Sequence, residues 1–153
     1  MNYKEVERSI PELNIRTNAL VALNSNANWR LVCIPGSPSK PSLFQRLLKN
    51  APKDLDIVVV NRLGYHPSHS APFLNFEDQI KVVKPFLEKK RNILLGVSYG
   101  GAISLKAALE YPSQIDGVVT VAALISEPHD YARKLVDSKV ADYLSSLAPR
   151  SLK

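Results

Sequence analysis

The stretch Asn92-Ile93-Leu94-Leu95-Gly96-Val97-Ser98-Tyr99-Gly100-Gly101 decides the reading of this chain. An apolar run breaks on Gly96-Val97-Ser98-Tyr99-Gly100, and a helix-like pattern starts directly after it. Strand, sharp turn and helix, with a serine at the apex, is the layout of a nucleophile elbow. A serine on so tight a turn takes a strained backbone conformation, and side chains in place of the flanking glycines would collide with the strand or the helix. Two other readings compete. One is a plain glycine-rich turn that packs a strand on a helix. The other is a phosphate loop, but the Gly-Lys-Ser/Thr ending is missing.

Outward from the elbow, apolar strand patterns alternate with helical ones. Residues 12–23 hold Leu13, Ile15, Leu20, Val21 and Leu23 around a polar Thr17-Asn18, which predicts a hairpin. Residues 29–34 read as a buried strand broken by Pro35-Gly36-Ser37-Pro38. Leu43, Phe44, Leu47 and Leu48 have helical spacing. Residues 57–60 are a β-branched run of the kind covered on both faces in a parallel sheet, closed by Asn61-Arg62-Leu63-Gly64. Phe76, Ile80, Val83 and Leu87 mark a second helix. Residues 93–95 form the next buried strand, and Ala102, Leu105 and Leu109 form a helix stripe followed by Pro112. Residues 117–123 read as another apolar strand, and Tyr131, Leu135, Tyr143, Leu144 and Leu147 as a last helix. This order predicts an α/β fold, a mostly parallel sheet with helices on both faces, in one domain spanning 1–153. Ligands of such sheets bind beyond the carboxyl ends of the strands, and Ser98 lies at one of those ends.

A serine there works by covalent catalysis: it attacks a carbonyl carbon, and a tetrahedral oxyanion forms. Two backbone N–H groups must point at that oxygen. The expected donors are Tyr99, at the positive start of a helix, and Ser37, in the loop after an earlier strand. Gly36 would let substrate approach that loop closely.

The order of these signals resembles the α/β-hydrolase superfamily along nearly the whole chain. Residues 31–38 resemble the strand and oxyanion loop, with Pro35-Gly36 where many relatives have His-Gly. Residues 58–65 resemble the next strand and its turn, often Asp-Arg-Pro-Gly-Phe or Tyr in relatives. Residues 93–112 resemble the elbow, its helix and the Tyr-Pro that often follows, and residues 118–123 the strand after that. The resemblance implies a serine hydrolase of ester, amide or thioester substrates, with Ser98 as nucleophile and a small acyl compound as substrate. It also implies that the usual acid and histidine would lie beyond Lys153. The expectation is therefore an incomplete α/β-hydrolase fold, truncated before its triad is complete, with the start of a lid at 128–150.

Within the chain, His129 and Asp130 are the candidate base and acid, with Glu127 a poorer acid. Adjacent residues on one segment seldom present both groups in line to a third. The plainer reading makes them polar residues of a loop, and places His66 and His69 at the pocket mouth or in solvent. A non-catalytic fragment or ligand-binding module, and a site completed by a partner chain, are the alternatives to an enzyme. Truncation would leave the 117–123 strand with an open apolar edge, so self-association is expected.

Composition excludes other classes. Of 153 residues 45% are hydrophobic, which fits a globular domain rather than a disordered chain. No apolar stretch is long enough to span a membrane, and the start lacks a signal-peptide core. One cysteine, Cys33, cannot form an internal disulfide and reads as a buried small hydrophobe, so a cytoplasmic setting is expected. The net charge of +6 comes from 20 Lys+Arg against 14 Asp+Glu. Its dense cluster, Lys89-Lys90-Arg91, reads as a solvated helix end rather than a nucleic-acid patch. Three scattered histidines and one cysteine show no metal-ligand spacing, and there is no Gly-x-Gly-x-x-Gly. No metal or cofactor is expected.

Overall fold

Three apolar runs build the centre of the sheet: β3 (Trp29–Ile34), β4 (Leu55–Val60) and β5 (Arg91–Val97). A computed structural model describes residues 3–37, 39–62, 75–88 and 90–123 of the chain. Around the centre lie β1 (Lys4–Ile10), β2 (Ile15–Ala22) and β6 (Gly117–Val121), giving a six-stranded sheet in the order β1-β2-β4-β3-β5-β6. β3 runs parallel to β4 and β5, and β5 parallel to β6. β4 is parallel on one side only, because β2 pairs with it antiparallel. The α/β class, the mostly parallel sheet and the helices on both of its faces are as expected from sequence.

Side chains alternate across the pleat, so each central strand feeds two cores. Val32, Ile34, Val58, Val60 and Leu94 face α2 (Phe76–Lys81) and α3 (Tyr99–Glu110), packing with Ile80, Ile103 and Ala107. Cys33, Ile57 and Val59 face the opposite side and pack with Phe44 and Leu48, the latter on α1 (Gln45–Lys49). Cys33 is fully buried, and burial pushes its thiol up to about 12.

Three local expectations are corrected, two of them in how the strands and α3 pack. The hairpin does not turn at Thr17-Asn18. β1 and β2 pair antiparallel, and the chain reverses over Pro11–Leu13 and Asn14, which takes a left-handed conformation at φ 51°. Thr17 and Asn18 are buried inside β2 instead, where distant groups pair with the Thr17 hydroxyl and the Asn18 amide N–H. Thr17 Oγ1 donates to the Asn61 carbonyl at 3.2 Å, and Asn18 Nδ2 donates to the Glu5 carboxylate. The core face of α3 is also not Ala102, Leu105 and Leu109. Leu109 is 78% exposed, while Gly100, Gly101, Ile103, Ser104 and Ala107 are buried. Small residues face the strands because the helix approaches them too closely for larger side chains.

The amino ends of the parallel strands carry a buried charge network. Arg30 donates to Asp56 at 2.9 Å and to the Phe86 carbonyl at 3.0 Å. Asp56 also accepts from Lys90 at 2.8 Å and from the Asn24 backbone N–H at 2.8 Å. Burial raises the Asp56 carboxyl, but these hydrogen bonds outweigh it and hold the group below the usual carboxylate range. Lys90 is thus an ion-pair partner rather than a solvated helix end, and Arg91 lies over the Trp29 ring, 4.6 Å from its centroid.

The chain divides into two units, 1–123 and 124–153. The expected lid segment at 128–150 belongs to the second and lies outside the described residues. Among the described residues no helix is long and apolar enough to cross a membrane.

Candidate active site

Ser98 is the single residue between β5 and α3, and its backbone sits at φ 52° and ψ −119°. A non-glycine residue at positive φ away from the small left-handed well is strained by roughly 1–3 kcal/mol. The surroundings hold it there. The Ser98 N–H donates to the Val121 carbonyl of β6 at 2.9 Å, and its own carbonyl accepts from the Gly101 N–H at 2.9 Å. Serine is a favoured helix cap, yet the Ser98 side chain makes no capping hydrogen bond to α3. Its hydroxyl is therefore not committed to holding the helix.

The glycines of the motif are required by contact. A Cβ on Gly96 would strike the Gly100 carbonyl and Ser104 Oγ, and one on Gly100 would strike the Ile34 carbonyl at the end of β3. Ser104 Oγ, fully buried, donates to the Gly100 carbonyl at 2.9 Å and pins the first turn of α3. The helix thus starts against the backbone of β3, which brings the loop after β3 to the elbow.

That loop meets Ser98 directly. A Cβ on Gly36 would lie 2.9 Å from the Val97 carbonyl and 3.0 Å from Ser98 Cβ. The space that sequence reasoning reserved for substrate at Gly36 is occupied by the elbow itself. Pro35 and Gly36 are buried and Ser37 is exposed, so the chain leaves the core at Ser37. The Gly36 carbonyl accepts from the Ser39 N–H at 3.0 Å and from the Arg62 guanidinium at 2.9 Å. Tyr99, the first residue of α3, lies beneath Arg62, whose guanidinium carbon is 5.3 Å from the ring centroid. The Phe76 ring meets the Tyr99 ring edge-on at 5.8 Å.

Of the residues singled out from sequence, Ser98, Tyr99 and the Gly36-Ser37 loop come together at the carboxyl ends of β3 and β5. His129, Asp130, Glu127, His66 and His69 lie outside the described residues. Sequence reasoning passed over Arg62 as part of a turn. The available signal was a charged residue two positions after the apolar run 57–60 that ends β4. Among the described residues no group of three or more His, Cys, Asp or Glu could hold a metal ion.

The family model for the alpha/beta hydrolase fold matches residues 30–142. The chain belongs to this family. It is 26% identical over 93 residues to the pimeloyl-[acyl-carrier protein] methyl ester esterase of Proteus mirabilis strain HI4320, covering 61% of this chain and 36% of that protein. Among solved structures, it is similar to the haloalkane dehalogenase DbeA of Bradyrhizobium elkani USDA94. That match has a TM-score of 0.72 and 16% identity over 89% of this chain and 50% of the other. The epoxide hydrolase CorEH matches with a TM-score of 0.69 and 15% identity, over 95% of this chain and 55% of that one. These two likenesses establish the fold alone. The chain spans about half the length of these solved relatives, and its match covers about a third of the curated esterase. The described sheet is accordingly an incomplete version of the family's fold.

Proposed function

We propose that this chain carries the nucleophile-bearing part of a serine hydrolase that acts on a carboxylic ester or related acyl compound. The observation that carries the reading is the strained Ser98 at the β5–α3 junction, with Gly36 packed against its Cβ. In this reading the Ser98 hydroxyl attacks the acyl carbon, and the carbonyl π pair moves onto oxygen. The backbone N–H groups of Tyr99 and Ser37 receive the developing negative charge, Tyr99 from the start of α3 and Ser37 from the loop held beside it. The hydroxyl proton needs a base. His129 with Asp130 is the pair to test for that role. The esterase likeness supports a carboxylic ester as the substrate class.

The experiment is treatment of the folded chain with a fluorophosphonate probe and mass spectrometry of the adduct. Attachment at Ser98 is expected, slow if no base assists. Labelling of other serines with Ser98 untouched overturns the assignment. A second reading is a ligand-binding module of the same fold without turnover. Ester hydrolysis that tracks Ser98 labelling separates the two.

Self-association belongs to the same proposal. Among the described residues β6 pairs only with β5, and its Val119 and Val121 are about half exposed (50% and 51%). An apolar strand at a sheet edge is a template for pairing. Sedimentation is expected to show a concentration-dependent rise in mass, and a clean monomer at high concentration counts against it.

A further inference from the structure

We propose that Arg62 is a positioning residue for the oxyanion hole, acting on both donor peptides at once. This rests on the assignment of Ser37 and Tyr99 as the donors. Arg62 is buried, 2% exposed, at the carboxyl end of β4. Its guanidinium donates to the Gly36 carbonyl at 2.9 Å. That carbonyl belongs to the same peptide group as the Ser37 N–H. A cation on the oxygen end of a peptide draws electron density toward that oxygen and leaves the N–H a stronger donor, and hydrogen bonds in series polarise one another in this way. The Ser39 N–H bonds to the same carbonyl at 3.0 Å, so the oxygen is held by two donors and the peptide plane has little freedom to rotate.

The other half of the hole is reached through the ring of Tyr99. The guanidinium carbon sits 5.3 Å from that ring's centroid, within cation–π range, and the Phe76 edge closes on the ring at 5.8 Å. Arg62 therefore fixes the relative placement of a loop peptide and a helix-start peptide that belong to different elements. An oxyanion hole depends on that relative placement, because its donors must already be aimed at the charge when it forms. Lysine is a poor substitute: it can donate to Gly36 but lacks the planar group that stacks on Tyr99.

The test compares the full chain with Arg62→Met and Arg62→Lys. Labelling of Ser98 by an alkyl fluorophosphonate is followed over a range of probe concentrations, giving a maximal rate and a half-saturation concentration. Arg62→Met is expected to lower the maximal rate by roughly 10- to 100-fold at similar half-saturation, less than the outright loss of a donor. Arg62→Lys is expected to recover part of that loss. In ¹⁵N-labelled protein the Ser37 amide proton should move upfield in Arg62→Met while most other amides stay in place. A packing role alone would lower the melting temperature and leave the labelling rate of the folded fraction unchanged, so that result overturns the proposal. If Arg62→Met does not fold, Arg62→Lys carries the test. A wild-type rate together with an unmoved Ser37 amide in that variant is then the overturning result. If Ser98 of the unmodified chain is never labelled, the serine-hydrolase reading has failed instead. The Ser37 amide then still decides on Arg62, and its indifference to both substitutions sinks the proposal.

Discussion

The two ends of the parallel strands are built on opposite plans. At the amino ends, charged side chains are buried and paired: Arg30 with Asp56, and Asp56 with Lys90. At the carboxyl ends backbone meets backbone, with the buried Arg62 guanidinium bonded to the Gly36 carbonyl. Gly36 touches Val97 and Ser98, Gly100 touches Ile34 and Pro35, and a serine is held at positive φ. The first arrangement makes the sheet hard to open, since breaking a buried pair leaves a desolvated charge behind. The second stores strain and collects peptide groups around one hydroxyl, features that chemistry uses and stability does not need. One sheet therefore buries paired charges at one end of its strands and holds a strained, half-buried serine at the other. Mutations at the two edges should separate folding from reactivity.

The largest effect is expected at the anchored end. Asp56→Ala should cost up to about 3–5 kcal/mol in urea unfolding, because buried Arg30 keeps only the half-exposed Glu88 carboxylate of its two and Lys90 loses its partner. Ser98 labelling in the folded fraction should persist, and loss of labelling there would erase the distinction between the ends. The same carboxyl predicts the acid response. Its folded-state value lies below the usual 3.8, so its contribution is complete above that pH and disappears as pH falls through the lower folded-state value. Acid titration of stability should show this step in the unmodified chain and lose it in Asp56→Ala. At the Ser98 end, Gly100→Ala forces a methyl group into the Ile34 and Pro35 carbonyls and should cost roughly 1–3 kcal/mol. Here labelling should fall along with stability, because the helix start must move off the loop. The smallest and most discriminating change is Ser98→Gly. It removes the strain at φ 52° against the extra chain entropy of glycine, and a gain of up to about 1 kcal/mol in thermal unfolding is expected. A loss would mean that the backbone at the elbow is relaxed.

What could be read from the residues alone follows the range of the interactions involved. β3, β5 and the elbow were legible because an apolar run and a Gly-x-Ser-x-Gly turn are local signals. Thr17-Asn18 misled because its hydrogen-bond partners lie across the sheet, Thr17 with Asn61 44 residues away and Asn18 with Glu5. Leu109 misled because the buried face of α3 is chosen by close approach rather than by hydrophobic bulk. Arg62 showed only its place after an apolar run and not its partner, since its bond to Gly36 joins segments 26 residues apart. Ser37 and Tyr99 were expected near Ser98 from position, and the close packing of Gly36 on the elbow explains why the two segments meet.

The lone thiol in the middle strand offers a practical handle. Cys33 has no second cysteine to confuse its signal and has no contact with solvent while the sheet is intact. A maleimide or iodoacetamide can reach it only when the central layers come apart, so the alkylation rate of the native protein times global opening in plain buffer. Each variant above could be ranked this way from microgram amounts, with the chain serving as its own stopwatch.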